Sequence, residues 1–162
     1  MSANPETRPV RRGYELLIAA GTFLQPALLL AIRLYWGWQF FLTGRGTLMN
    51  LARVTEFFQS LRIPVPAFNA CLAGGTECAG GLLLVLGLGS RLVSLPLAFV
   101  TIVAYLTAEI DKVKHIFSDP DKFVTADPFL FMLAALVVFA FGPGQFSLDW
   151  LITRKLRRDP QS

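Results

Sequence analysis

Charge is scarce in this sequence and unevenly placed. Charged residues fill 16% of its 162 positions, where soluble domains carry about a quarter. Histidine occurs once, at His115, which excludes a bis-histidine haem within one chain. Cysteine occurs twice, at Cys71 and Cys78, with no C-x-x-C pair, so self-contained thiol–disulfide exchange of the thioredoxin kind is not expected. The sequence holds no Gly-rich phosphate loop, nucleophile elbow or zinc signature. No basic stripe with interleaved aromatics marks a nucleic-acid partner. No metal site and no catalytic residue can be assigned from motifs.

What remains is apolar. Ala, Val, Ile, Leu, Met, Phe, Trp, Tyr and Cys together make up 54% of the chain, and they run in long blocks separated by short charged stretches. Lipid as the solvent explains that distribution. The first span is centred on Pro26 to Leu42, with Leu16 to Leu24 as a lead-in and Pro26 as a kink. The second runs over about 68–88, the third over about 92–108 and the fourth over about 128–141, ended by Gly142-Pro143-Gly144. Arg8, Arg11 and Arg12 precede an apolar run about twice the length of a signal-peptide core, which is read as retained.

Open strands cannot cross lipid. The expected fold is therefore all-α: a four-transmembrane-helix bundle over residues 14–152, between basic tails at 1–13 and 153–162. Between spans one and two, Leu51, Val54, Phe57, Phe58 and Leu61 share one helical face, opposite Arg53, Glu56, Gln59 and Ser60. That pattern predicts an amphipathic helix lying in the bilayer interface. Four crossings leave both termini on one side with Arg91 and the bases Arg154, Lys155, Arg157 and Arg158. The bias in basic residues puts that side in the cytoplasm, and the tail reads as a juxtamembrane anchor.

Two ionisable residues fall inside spans, where lipid makes each costly unless it is paired or hydrated. Counted from the outer ends of their spans, at Gly44 and Phe68, Arg33 and Glu77 differ in depth by roughly 3 Å. An Arg33–Glu77 pair across adjacent antiparallel helices is the simplest expectation. Removing either partner should then cost about 3–5 kcal/mol. Gly37 and Gly44 share the face of Arg33, and Ala70, Ala73, Gly74, Gly80 and Gly81 line that of Glu77. Small residues of this kind let membrane helices approach closely. The pair either locks two helices together or lines a cavity for a quinone, a lipid or a proton.

Thr101, Tyr105 and Glu109 follow at four-residue spacing as a polar stripe on span three. With Glu77 they could form an outward-opening cleft; otherwise Tyr105 belongs to the interface belt and Glu109 to water. Cys71 and Cys78 lie about 10.5 Å apart on one helix, too far for a disulfide, and read as small hydrophobes. Asp111, His115 and Asp119 have helical spacing, but Asp119-Pro120 favours a solvated loop over a metal site.

Arg33-x₃-Gly37-x₂-Phe40-x₃-Gly44 is followed by Ile63-Pro64-Val65-Pro66, then by Glu77 and the block from Gly80-Gly81-Leu82 to Ser90-Arg91. In this order the chain resembles the DoxX family of small four-span membrane proteins, over roughly residues 28 to 142. One departure is Arg45, where the family often has Lys, and the two side chains differ in shape and hydration. The family takes its name from a small subunit of a quinone-reducing, thiosulfate-oxidising complex, and other members are associated with oxidative-stress systems. The resemblance thus implies an accessory subunit tied to quinone or membrane redox chemistry, with a redox partner subunit or a homo-oligomer, in a bacterial or archaeal cytoplasmic membrane. The alternatives are a lipid or small-molecule binding or transport protein using the same cavity, and a structural scaffold for a partner. Arg33, Gly37, Glu77, Gly81, Thr101, Tyr105 and Glu109 are the residues a ligand would meet.

Overall fold

Proline and glycine punctuate this chain, and its helices begin and end at them. In the computed structural model residues 8–158 are described, with side-chain surroundings for 11–155. Residues 1–7 and 159–162 of the two basic tails, and the side chains of Arg8, Arg157 and Arg158, lie outside the described residues. Eight helices follow in order: α1 (Arg8–Met49), α2 (Leu51–Ser60), α3 (Pro66–Leu86), α4 (Ser90–Thr107), α5 (Ile110–Lys114), α6 (Pro120–Val124), α7 (Asp127–Phe141) and α8 (Leu148–Arg158). Pro66, Pro120 and Pro128 sit in the first turns of α3, α6 and α7, where a missing N–H breaks no intrahelical bond. Gly87, at φ +70°, ends α3. There Leu88 N donates to Leu83 O and Gly87 N to Leu84 O, the paired bonds of a Schellman motif.

Among the described residues three helices are long and apolar enough to cross a membrane: the Arg11–Met49 part of α1, α3 and α4; α7 is a shorter apolar helix. The chain is a membrane protein of several apolar helices. Within it α1 packs on α3, α3 on α4, α4 on α7, and α7 returns to α1. Phe40, Leu84, Leu97, Ala98, Ala135 and Val138 form the shared core, one or more from each of the four helices. Phe131 of α7 meets Phe40 edge-on at 4.8 Å and Trp36 at 5.1 Å, an arrangement that favours the ring quadrupoles. Large apolar side chains such as Trp38, Leu72, Leu95, Phe99 and Leu133 point outward, as a lipid-facing surface requires.

Backbone contact fixes how α1 and α3 meet. A Cβ placed on Gly44 would lie 2.5 Å from Gly74 O, and one on Gly81 would lie 2.5 Å from Gly37 O. Glycines seven residues apart on each helix, 37 and 44 against 74 and 81, stay on one face over two turns. The two backbones can close only where those side chains are absent.

α1 is longer than a single span. Its 42 residues measure about 63 Å, roughly twice the hydrocarbon thickness. The helix continues through Pro26, and Leu29 is the first buried side chain among those described.

Candidate functional site: two intramembrane charges held apart

Arg33 is 2% exposed, and each nitrogen of its guanidinium donates to a backbone carbonyl. Nε donates to Leu84 O at 2.9 Å, Nη2 to Phe146 O at 2.8 Å, and Nη1 to Pro143 O. Leu84 lies in the last turn of α3, where carbonyls carry the negative end of the helix dipole. Pro143 and Phe146 belong to the turn between α7 and α8. A planar fork with five donors can tie these three acceptors together; an ammonium cannot. Gly87 leaves the space for it, since a Cβ there would lie 2.8 Å from Arg33 Cζ.

The same end of the bundle holds a second brace. Asp149 of α8 accepts from Gly89 N at 2.8 Å and Ser90 N at 3.0 Å. It thereby caps α4 from a helix sixty residues away in sequence, and places a carboxylate at a positive helix terminus. Asp149 N donates to Gly87 O at 3.0 Å. Together Arg33 and Asp149 fasten α8 and its preceding turn to α1, α3 and α4.

Glu77 is elsewhere. It lies midway along α3, half-buried, and its Cβ is among the atoms nearest to Gly44 on α1. No hydrogen bond or ion pair joins its carboxyl to another described residue; the four ion pairs among them all involve other acids. The expected Arg33–Glu77 pair is not formed. Arg33 sits level with Gly87, ten positions along α3 from Glu77, an axial separation of about 15 Å. The reason is register: aligning helix ends at Gly44 and Phe68 ignores that α1 runs on to Met49 and that the glycine pairs, not the loop ends, decide which residues face each other.

The other sequence-derived positions divide in the same way. Gly37 and Gly81 meet across the α1–α3 contact, and their role there is packing. Thr101 Oγ1 donates within its own helix, to Ala98 O at 2.8 Å and Leu97 O at 3.3 Å. Tyr105 donates to Phe123 O at 2.9 Å, and its ring stacks on that of Phe123 at 4.8 Å, so α6 is folded over the end of α4. Glu109 pairs with Lys112 at 2.9 Å. None of the three bonds Glu77, and the stripe is not joined to it as one polar centre.

In the connecting segment Asp111 pairs with Lys114 at 3.6 Å and Asp119 with Lys122 at 2.8 Å. The Lys122 hydrogen bond holds the Asp119 carboxyl below its usual range. His115 Nδ1 lies 2.7 Å from Asp111 O, and no group of three or more His, Cys, Asp or Glu able to hold a metal is found among the described residues. Cys71 is exposed, Cys78 is half-buried, and both are free thiols. Sequence reasoning missed Asp149 and the carbonyls of Pro143 and Phe146. Asp149 fell inside the expected membrane domain with no motif around it, and backbone acceptors leave no mark in composition.

With this geometry in place, the family model described as DoxX matches residues 28–110, just over half of the chain. The chain belongs to the DoxX family. The DoxX match takes in Arg33, Glu77 and all four glycines of the α1–α3 contact, and it ends at the start of α5, before α7 and α8. No curated protein and no solved structure matches this DoxX chain.

Proposed function

We propose that this DoxX chain is a four-span protein of the inner membrane, an accessory subunit in quinone-linked or related membrane redox chemistry, whose ligand contact is Glu77. The observation that carries the reading is the Glu77 carboxyl itself, midway along a membrane helix, beside Gly44, without a hydrogen-bond or ion-pair partner among the described residues. Lipid offers such a group no hydrogen bond, so it is retained at a cost that a ligand or a mobile proton would offset.

A quinone suits the position chemically. A carboxyl carrying its proton donates to a quinone carbonyl, and a carboxylate accepts from a quinol hydroxyl. Electrons would come from or go to cofactors on a partner subunit, with Glu77 supplying only the hydrogen bond. In this reading α7 is the fourth crossing; at 15 residues, about 22 Å, it needs a locally thinned bilayer or help from the segment before it. α2 lies in the interface, and both termini face the cytoplasm.

The test is quinone content after solvent extraction of protein purified in mild detergent. Wild type should retain quinone, and Glu77→Leu should retain about tenfold less, the loss expected for one hydrogen bond of about 1.4 kcal/mol. Glu77→Gln should fall between them, because its amide still donates to a carbonyl. Equal quinone in wild type and Glu77→Leu would overturn the assignment. A wild-type protein carrying phospholipid or isoprenoid in place of quinone would favour a lipid or small-molecule binding or transport role.

A further inference from the structure

Where α4 begins and α7 ends, a groove of about 500 Å³ opens between them and α8. Its lining includes Gly89, Arg91, Pro143, Gly144, Trp150 and Thr153, together with Asp149. Arg91 lies against Gly142, and its one hydrogen bond among the described residues runs from Nη2 to Ala140 O at 3.4 Å. Most of its five donors therefore remain open. Arg154 stacks over the Trp150 ring at 5.0 Å, one helical turn along the same face of α8. Asp149 is the only acid among the described residues of the lining, and both its oxygens are turned to Gly89 N and Ser90 N.

The surroundings say what kind of ligand can reach this groove. α8 carries exposed Leu151 and Ile152 on one side and Trp150 and Arg154 on the other. A helix of that kind at the end of a membrane bundle lies in the interface, where Trp sits at the level of the lipid headgroups. Leu92, on the groove, is 75% exposed and continues the apolar surface toward the bilayer. We propose that the groove between α4 and α8 binds the phosphate of an anionic glycerophospholipid at Arg91, with Arg154, stacked on the Trp150 wall, as a second cation at its rim and an acyl chain running over Leu92. Two cations, an aromatic at headgroup level and an apolar exit toward lipid complement that molecule and leave a free anion half unbound.

Native mass spectrometry of the full chain in mild detergent tests this, with phosphatidylglycerol and phosphatidylcholine of matched acyl chains as probes. Phosphatidylglycerol should be retained preferentially, and the preference should fall about fivefold for each arginine removed, as expected for a base near an anionic headgroup. Arg154→Gln alone, which removes a cation stacked on the Trp150 ring and leaves the Arg91 contact with α7 in place, keeps the test valid if Arg91→Gln perturbs the end of α7. Lysine at both positions should restore most of the preference. Equal retention of the two lipids, or a preference unchanged in Arg154→Gln and Arg91→Gln/Arg154→Gln, would overturn the proposal. So would full displacement of phosphatidylglycerol by millimolar inorganic phosphate, which would mark a site for a free anion.

Discussion

Gly44→Leu is expected to stop α1 and α3 from closing and to abolish the folded bundle in mild detergent. The nearest atoms to a Cβ at this position are Cys78 N and Gly74 O, both main chain of the facing helix. A flexible side chain could swing away; a helix backbone can only retreat as a whole. Overpacking in a close-packed interior costs about 1–3 kcal/mol. Against rigid backbone, with the whole contact forced apart, about 3 kcal/mol or more is expected. Gly46→Leu is the matched control, since a Cβ there meets nothing within 4 Å. It replaces glycine in a helix and should leave stability unchanged or raise it by up to about 1 kcal/mol. The Gly44→Leu protein should therefore show no cooperative melt, or one well below wild type, while Gly46→Leu melts at or above the wild-type temperature. Equal shifts would mean that the glycine register between α1 and α3 is not the one described.

Arg33→Met should destabilise the chain by about 3–5 kcal/mol, because it strips the donor from three carbonyls at once. Each buried polar group left without a partner costs about 1–3 kcal/mol, and the Pro143 and Phe146 carbonyls, being only partly buried, fall at the lower end. The damage should be local before it is global. Amide exchange in the turn from Gly142 to Ser147 and in α8 is expected to rise first, since Arg33 and Asp149 are what fasten those segments. Arg33→Lys should recover only part of the loss, because one ammonium cannot span three acceptors placed for a planar fork. An unchanged melt for Arg33→Met would show that the guanidinium is dispensable to the fold.

Much of this was legible in the sequence, and the failures share one cause. Long uncharged runs, bounded by proline and glycine, announce membrane helices without reference to anything outside themselves. The series from Arg33 to Gly44, followed by Glu77 and Gly80-Gly81, pointed to the DoxX family. Which residues face each other across two helices is a different kind of fact. It depends on where α1 stops, at Met49 and not near Gly44, and on which glycines seat against which. An offset of ten residues along α3 separates a salt bridge from two unrelated charges. The partners of Arg33 were invisible for a further reason: they are carbonyl oxygens, which every residue carries. Asp149 could have been noticed, as an acid just ahead of the basic tail, but nothing in its neighbours names the N-terminus of α4 as its target.

Separating Arg33 from Glu77 divides the labour between them: the first holds the end of the bundle, and the second is free for the ligand role proposed above. A double-mutant cycle on Arg33→Met and Glu77→Leu, read as unfolding free energy in one detergent, addresses that division directly. Groups about 15 Å apart with no shared partner should give additive effects within about 0.3–0.5 kcal/mol, with Arg33→Met severe and Glu77→Leu mild or stabilising. A coupling of about 2 kcal/mol or more, with the double variant more stable than Arg33→Met alone, would put both charges in one pair and contradict the separation.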